Sequence, residues 1–254
     1  MRNSIYRPIP RLISVAVLAS GLLFAQANAN AAPRQKINLP PSAELTYTIK
    51  ARQKGIPVEG DAVMRWSAGG NKFFAANEAR AMLIGKIIDA RSEGVIDAYG
   101  LAPSSFTEKR FRKDPTITSF DRSAKTIHFT ASDESYPIKG GEQDQNSVIW
   151  QLIAMARATP ARFKPGSSWN LFVAGQRHAE EWTFKVVTQE KISTPLGELN
   201  TLHISKLPPP DSQDRQVDIW LAPSLDWYPA RLRYSDSNGD FIEQTLQKVS
   251  KKVP

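Results

Sequence analysis

The chain of 254 residues contains no cysteine. That excludes disulfides, thiol nucleophiles and Cys-ligated metals, and it excludes tethering through an acylated Cys. Histidine is nearly as scarce. His128, His178 and His203 lie far apart and none has a partner at metal-ligand spacing, so each reads as a surface or satisfied polar residue. There is no G-x-S-x-G elbow, no S-x-x-K with its companion signatures and no H-E-x-x-H. The doublets Gly69-Gly70 and Gly140-Gly141 are isolated and read as turns, not phosphate loops. Asp211, Asp214 and Asp218 lack the Gly bend and closing Glu of a calcium loop and read as a solvated Pro-rich loop. Paired carboxylates for glycoside chemistry leave no trace in sequence spacing, and nothing points to them. No cofactor and no metal is implied, and the expectation is a protein that is not an enzyme.

What is present begins with an export signal. Arg2, Arg7 and Arg11 are offset by no acid, Leu12 to Ala25 is apolar or small, and small-x-small steps follow at Ala25-Gln26-Ala27 and Ala27-Asn28-Ala29. This order of charge, short apolar core and cleavage pattern predicts a signal peptide over 1–29. The run is shorter than the ~20 residues that span a bilayer, and there is no Arg-Arg pair, so the general secretory route is expected. No later segment is apolar enough to cross a membrane, so the processed chain is expected to be soluble. The formal charge of +8 includes the three leader arginines. The remaining Lys and Arg alternate with Asp and Glu and suggest a solvated surface with a weak attraction to anionic lipid or glycan. No motif supports nucleic-acid binding.

Residues 30–42 are polar and Pro-containing and read as a flexible lead-in, followed by one β-rich domain over 43–249 and a polar tail over 250–254. Leu45, Tyr47 and Ile49 alternate with Thr46, Thr48 and Lys50, the period of a half-buried strand. Short runs of the same kind recur to Val249, separated by turn signals, and argue for an antiparallel meander. One stretch differs. Asp144 to Ala158 has no Gly or Pro, and Val148, Ile149, Leu152, Ile153 and Ala156 fall at helical spacing, with Trp150, Ala154 and Met155 widening the apolar face. A helix apolar most of the way round is normally buried, and Asp144 or Asn146 is placed to cap it. The expected fold is α+β, mostly antiparallel β: a highly curved sheet or incomplete barrel wrapping one buried helix at about 144–158.

The last hairpins supply the candidate binding residues. A turn centred between Ser224 and Leu225 sets Asp218 opposite Arg231; a one-step shift sets it opposite Arg233. Trp220 shares the Asp218 face. Asp218, Trp220 and Arg231 therefore read either as a cross-strand pair with packing or as the lining of a ligand groove in the concavity.

Trp182-Thr183-Phe184, Thr194-Pro195-Leu196-Gly197, Thr201-Leu202-His203, Asp218-Ile219-Trp220-Leu221-Ala222-Pro223, Trp227-Tyr228-Pro229, Arg231-Leu232-Arg233 and Asn238-Gly239-Asp240 together resemble the bacterial family called domain of unknown function 3108. Gln143-Asp144 and Pro165-Gly166 fit it too. The resemblance implies an exported envelope protein of predominantly β fold, in the periplasm, and brings no activity, cofactor or catalytic residue. The leading functional expectation is a non-enzymatic binding or envelope-maintenance protein, with an apolar or amphipathic small molecule in an apolar concavity. A protein-interaction scaffold with an envelope protein partner comes second, and a hydrolase of an envelope polymer third.

Overall fold

The computed structural model describes residues 34–206, 208 and 215–251, and these form a single compact unit. The leader expected over 1–29 and the residues Asp211 and Asp214 lie outside them.

The chain leaves the centre of the sheet through eight consecutive strands: β1 (Ala43–Gln53), β2 (Ile56–Gly69), β3 (Lys72–Ala81), β4 (Gly85–Asp97), β5 (Gly100–Arg110), β6 (Thr116–Asp121), β7 (Thr126–Phe129) and β8 (Ser132–Pro137). It crosses to the far edge at β9 (Gln143–Asp144), forms the helix α1 (Ser147–Ala158), and returns through β10 (Ser168–Ala174), β11 (Ala179–Thr194), β12 (Gly197–Lys206), β13 (Gln216–Leu221), β14 (Pro229–Ser235) and β15 (Phe241–Lys251). β15 pairs with β1, which makes one sheet of fifteen strands with β8 and β9 as its unpaired edges. Every pairing is antiparallel except β9 with β10. The sheet is large and mostly antiparallel, as expected, and it is not closed.

Tight turns make the meander. Lys54-Gly55 and Gly70-Asn71 each supply two residues of positive φ between paired strand ends, the two-residue loop that matches strand twist. Register shifts in six strand pairs, at Thr46/Tyr47, Ala79/Arg80, Glu93/Gly94, His128/Phe129, Val186/Thr188 and Trp220/Leu221, bend the strands. Gly94 permits its bulge because a Cβ there would sit 2.2 Å from the Ala102 carbonyl oxygen. The bending brings the two arms together. The Thr118 hydroxyl of β6 donates to the Gly175 carbonyl after β10, and Tyr136 of β8 meets Phe172 of β10 at 5.8 Å.

Helix α1 begins three residues later than the sequence pattern suggests, because Gln143 and Asp144 pair as a strand. Ten of its twelve residues are buried, and it shares one core with Leu45, Met64 and Trp66 from one arm and Phe184, Ile204 and Ile219 from the other. Trp66 and Trp150 stack at 4.8 Å with an interplanar angle of 15°, and Tyr228 meets Trp150 edge-on at 6.4 Å. At the helix C-terminus Arg157 pairs with Asp226 at 2.9 Å.

The stretch expected to be a flexible lead-in is bound in from residue 35 on, which corrects that expectation. Gln35 N–H donates to the Ala98 carbonyl and Asn38 N–H to the Ala154 carbonyl. The Pro40 and Pro41 carbonyls accept from Trp66 and Tyr228. The reason is apolar: Ile37 and Leu39 pack on the main core and pull their polar backbone into the structure.

Candidate binding cavity

Two places on the concave side carry concentrated chemistry. The first is a buried polar knot where α1 starts. The Asp144 carboxylate accepts from the N–H groups of Asn146 and Ser147, at 2.8 and 2.7 Å, and from the Ser92 hydroxyl. The Ser147 hydroxyl accepts from Asp144 N–H in return. Asp144 thus caps the helix, while the Asn146 side chain instead donates to the Ala75 carbonyl. Gln143 and Gln151 bind the backbone of Leu101. Burial pushes the Asp144 carboxyl up to about 6, against the pull of the Ser92 and backbone hydrogen bonds. Ser92 and Asp144 are fully buried and their bonds are spent on the helix start, so the pair serves as a clasp between α1 and β4.

The second is a cavity of about 280 Å³ beside the first turn of the helix. Its walls are mostly apolar: Ile49 of β1, Ala79 of β3, Ile87, Ile88 and Ala90 of β4, Phe106 of β5, and Val148 and Ile149 of α1 on one side, with Trp182, Phe184, Val217, Ile219 and Ile242 opposite. Four carboxamides, Asn77, Gln145, Asn146 and Gln244, break this apolar lining, and two of them keep an unpartnered oxygen. Gln244 is 4% exposed, and its side-chain oxygen has no partner; the Asn77 side-chain oxygen has none either. A buried acceptor left unpaired costs about 1–3 kcal/mol, so these atoms mark where a polar group of a ligand gains most.

The mouth is polar. Glu108 and Arg110 end β5, His178 stands just before β11 and Glu180 near its start, and Arg215 and Tyr234 close the ring. Glu108 is buried and accepts from Arg110 and Gln176. Arg215 pairs outward with Asp236 at 2.7 Å. The Tyr234 phenol is pushed up to about 12, by burial first and by the Glu108 carboxylate second. Lys206 is buried with its ammonium 4.7 Å over the Trp182 ring and 3.8 Å from Glu180. An apolar slot with neutral hydrogen-bonding groups inside and mixed charge at the lip suits an amphipathic molecule.

The residues singled out from sequence do assemble, but elsewhere. Asp218 lies opposite Arg233, the second of the two pairings the hairpin allows, and Trp220 opposite Arg231; a turn centred on Leu225 and a bulge between Trp220 and Leu221 together set this register. Asp218 accepts from Gln216 at 2.7 Å and lies 2.9 Å from His203. Its carboxyl sits below the usual carboxylate range: burial is the largest influence and pushes it up, but the hydrogen bonds, that from His203 foremost, together outweigh it. Trp220 stacks on His203 at 4.4 Å and donates to Glu190, with Arg231 5.7 Å from its ring. None of Asp218, Trp220 and Arg231 lines the cavity. Val217 and Ile219 do, and strand alternation turns Asp218 and Trp220 to the opposite face. The groove reading of these three residues is therefore corrected to a cluster on the outer face. His203 falls on that polar side, as the alternation with Leu202 and Ile204 suggests. Gln244 and Asn77 were missed, although both interrupt an inward apolar alternation, Gln244 between Ile242 and Leu246 and Asn77 between Ala75 and Ala79. Among the described residues no cluster of three or more His, Asp or Glu is placed to hold a metal, and no helix is long and apolar enough to cross a membrane.

Known structures are similar in backbone but remote in sequence. The β-barrel-like protein of domain of unknown function DUF1849 from Brucella abortus aligns with a TM-score of 0.57 at 10% identity, over 85% of this chain and 100% of that one. A protein from Bacteroides fragilis described as exported, with a YmcC-like fold, aligns at 0.37 and 11% identity, over 86% of this chain and 100% of that one. An outer-membrane lipoprotein-sorting protein domain, so described, from Vibrio parahaemolyticus aligns at 0.28 and 6%, over 84% and 86%. The first supports a barrel-like fold; the other two are too distant to carry an argument. A comparison with curated proteins gives no match. Residues 45–247, nearly the whole described sheet, match the family described as protein of unknown function DUF3108, and the chain belongs to that family.

Proposed function

We propose that this protein is a non-enzymatic binding protein of the bacterial envelope, exported by its leader to the periplasm, that holds a single-chain amphipathic molecule in the cavity beside α1. In this reading the sheet curls around the helix as an incomplete barrel, and the space left between helix and sheet is the ligand site. The observation that carries it is the unpartnered Gln244 side-chain oxygen in a cavity walled mostly by apolar side chains. A hydroxyl or amide of the ligand satisfies that group, whichever way the amide is turned. The volume of about 280 Å³ lies at the lower edge of ligand pockets, roughly 300–1,000 Å³, and favours one apolar chain over a two-tailed lipid. The buried acid and hydroxyl that could suggest catalysis, Asp144 and Ser92, do not line the cavity.

The test is native mass spectrometry of protein recovered from envelope extracts, combined with titration of a fluorescent single-chain amide or alcohol probe. A co-purifying small molecule and saturable probe binding are expected. Ala79→Phe, which fills the cavity, should weaken the probe about tenfold or more. A bare mass together with no saturable binding would overturn the reading.

A further inference from the structure

The hairpin tips beside the cavity mouth are made of the wrong residues for turns in water. Two-residue and short loops normally use Gly, Asn, Asp or Ser. Between β3 and β4 stand Met82, Leu83 and Ile84, which are 73, 96 and 52% exposed. The next tip along the sheet, between β5 and β6, is Phe111-Arg112-Lys113, preceded by Lys109 and Arg110, with Phe111 43% exposed. Arg112 lies over the Phe111 ring at 4.9 Å. Ile56, also exposed, sits at the tip between β1 and β2.

These tips form one continuous edge. Met82 N–H donates to the Glu59 carbonyl of β2, and Phe111 N–H donates to the Ile87 carbonyl of β4. Alternate hairpins of a meander point the same way, so the tips project from one end of the sheet. That end is the mouth: Ile87 and Ile88 line the cavity just after the Met82–Ile84 tip, and Glu108 and Arg110 line it just before Phe111. The acids of this edge are largely taken up: Glu78 and Asp89 pair with Arg80 and Lys86, Glu108 with Arg110, and Asp240 accepts from the Lys54 and Gly55 N–H groups. Lys54, Lys109, Arg112 and Lys113 make no ion pair among the described residues, and Asp114 is the one acid between Lys109 and β6.

We propose that this edge docks on an anionic lipid bilayer surface, with Met82, Leu83, Ile84 and Phe111 entering the interface and the unpaired cations meeting the headgroups. Exposed apolar tips alone could cover many partners. Apolar tips flanked by unpaired cations, with an aromatic ring among them, match the layering of a lipid interface, where apolar groups sink below the headgroups and cations meet the anionic charge. Docked this way, the cavity mouth faces the bilayer, and an amphipathic molecule can enter without crossing water. That last consequence rests on the proposed ligand site; the docking does not.

The experiment is co-flotation of the chain from Asn30 onward, which carries the whole sheet, helix and core, with vesicles of phosphatidylethanolamine and phosphatidylglycerol or of phosphatidylcholine alone. Binding to the anionic vesicles, weakened by salt, is expected. Replacing Met82, Leu83 and Ile84 by Ser should weaken it about tenfold or more. Replacing Lys109, Arg112 and Lys113 by Gln should do the same at low salt. All six side chains are exposed, and unchanged melting curves verify the fold. Ala79→Phe should still float, which separates docking from ligand binding. No flotation with anionic vesicles overturns the proposal, as does flotation that both triple variants leave unchanged. A concentration-dependent dimer abolished by the Ser triple, with no flotation, would assign the patch to a second copy of the chain instead.

Discussion

The two ends of the concave face are built from the same strands and differ in side-chain size. Around Trp66, Trp150 and Tyr228 the space between helix and sheet is filled by stacked rings and closed over by Ile37 and Leu39. Beside the first turn of the helix the facing residues are Ala79, Ala90 and isoleucines, and about 280 Å³ stays open. Alanine four residues apart on β3 makes the contrast sharp. Ala75 pairs with Trp66 and lies in the packed end; Ala79 pairs with Ala62 and lines the cavity. A hollow core end is thus a matter of which side chains face inward, with the backbone unchanged between them.

The largest expected effect lies at the filled end. Trp150→Ala should cost about 3–5 kcal/mol in urea unfolding, and a loss under about 1 kcal/mol would mean that the rings are not the pillar of this core.

The clasp between the two ends comes next. Folding raises the Asp144 carboxyl from its ordinary value to about 6. The folded state therefore holds its proton more tightly. This contribution is fully present below the ordinary carboxylate range, is lost as pH rises through about 6, and is flat above that. A rise of this size corresponds to roughly 3 kcal/mol. Asn keeps an acceptor for the N–H groups of Asn146 and Ser147 and a donor for Ser92. Asp144→Asn should therefore gain stability relative to the parent between pH 4 and 7. Parallel stability-against-pH curves would break this account.

Smaller effects separate the two alanines. Ala75→Phe should cost about 1–3 kcal/mol by overpacking, whereas Ala79→Phe should change stability by less than about 1 kcal/mol because space is waiting for it. Equal thermal melts for the pair would erase the distinction between filled and hollow ends. A shift of opposite sign is expected from Gln244→Leu. Removing an unpaired buried acceptor should raise stability by about 1 kcal/mol, while weakening binding of a hydroxyl- or amide-bearing probe in the same titration.

Much of the fold was legible because a strand repeats every two residues. The Leu45, Tyr47, Ile49 alternation and its successors carry most of the strands, whereas β8 and β9 leave no such mark, because Ser132–Pro137 has no apolar alternation and Gln143–Asp144 is only two residues long. The helix was visible from its apolar spacing, though its first residues were drawn into β9. The site was not legible in the same way. Asp218, Trp220 and Arg231 form a cross-strand cluster that the hairpin pattern almost specifies, yet the pattern leaves Asp218 a choice of Arg231 or Arg233; a turn centred on Leu225 and a bulge between Trp220 and Leu221 together set it opposite Arg233, and alternation left the group on the outer face.

By itself the sequence determined the family, the meander, the buried helix and the absence of thiol chemistry, since these follow from composition and from patterns a few residues long. The tertiary structure alone decided where space remains. A cavity depends on the summed volumes of side chains from eight strands and a helix that meet only when the sheet bends. The same closure decided that Gln244, more than a hundred and sixty residues from Asn77, shares a pocket with it, and that Met82 and Phe111 stand at its door.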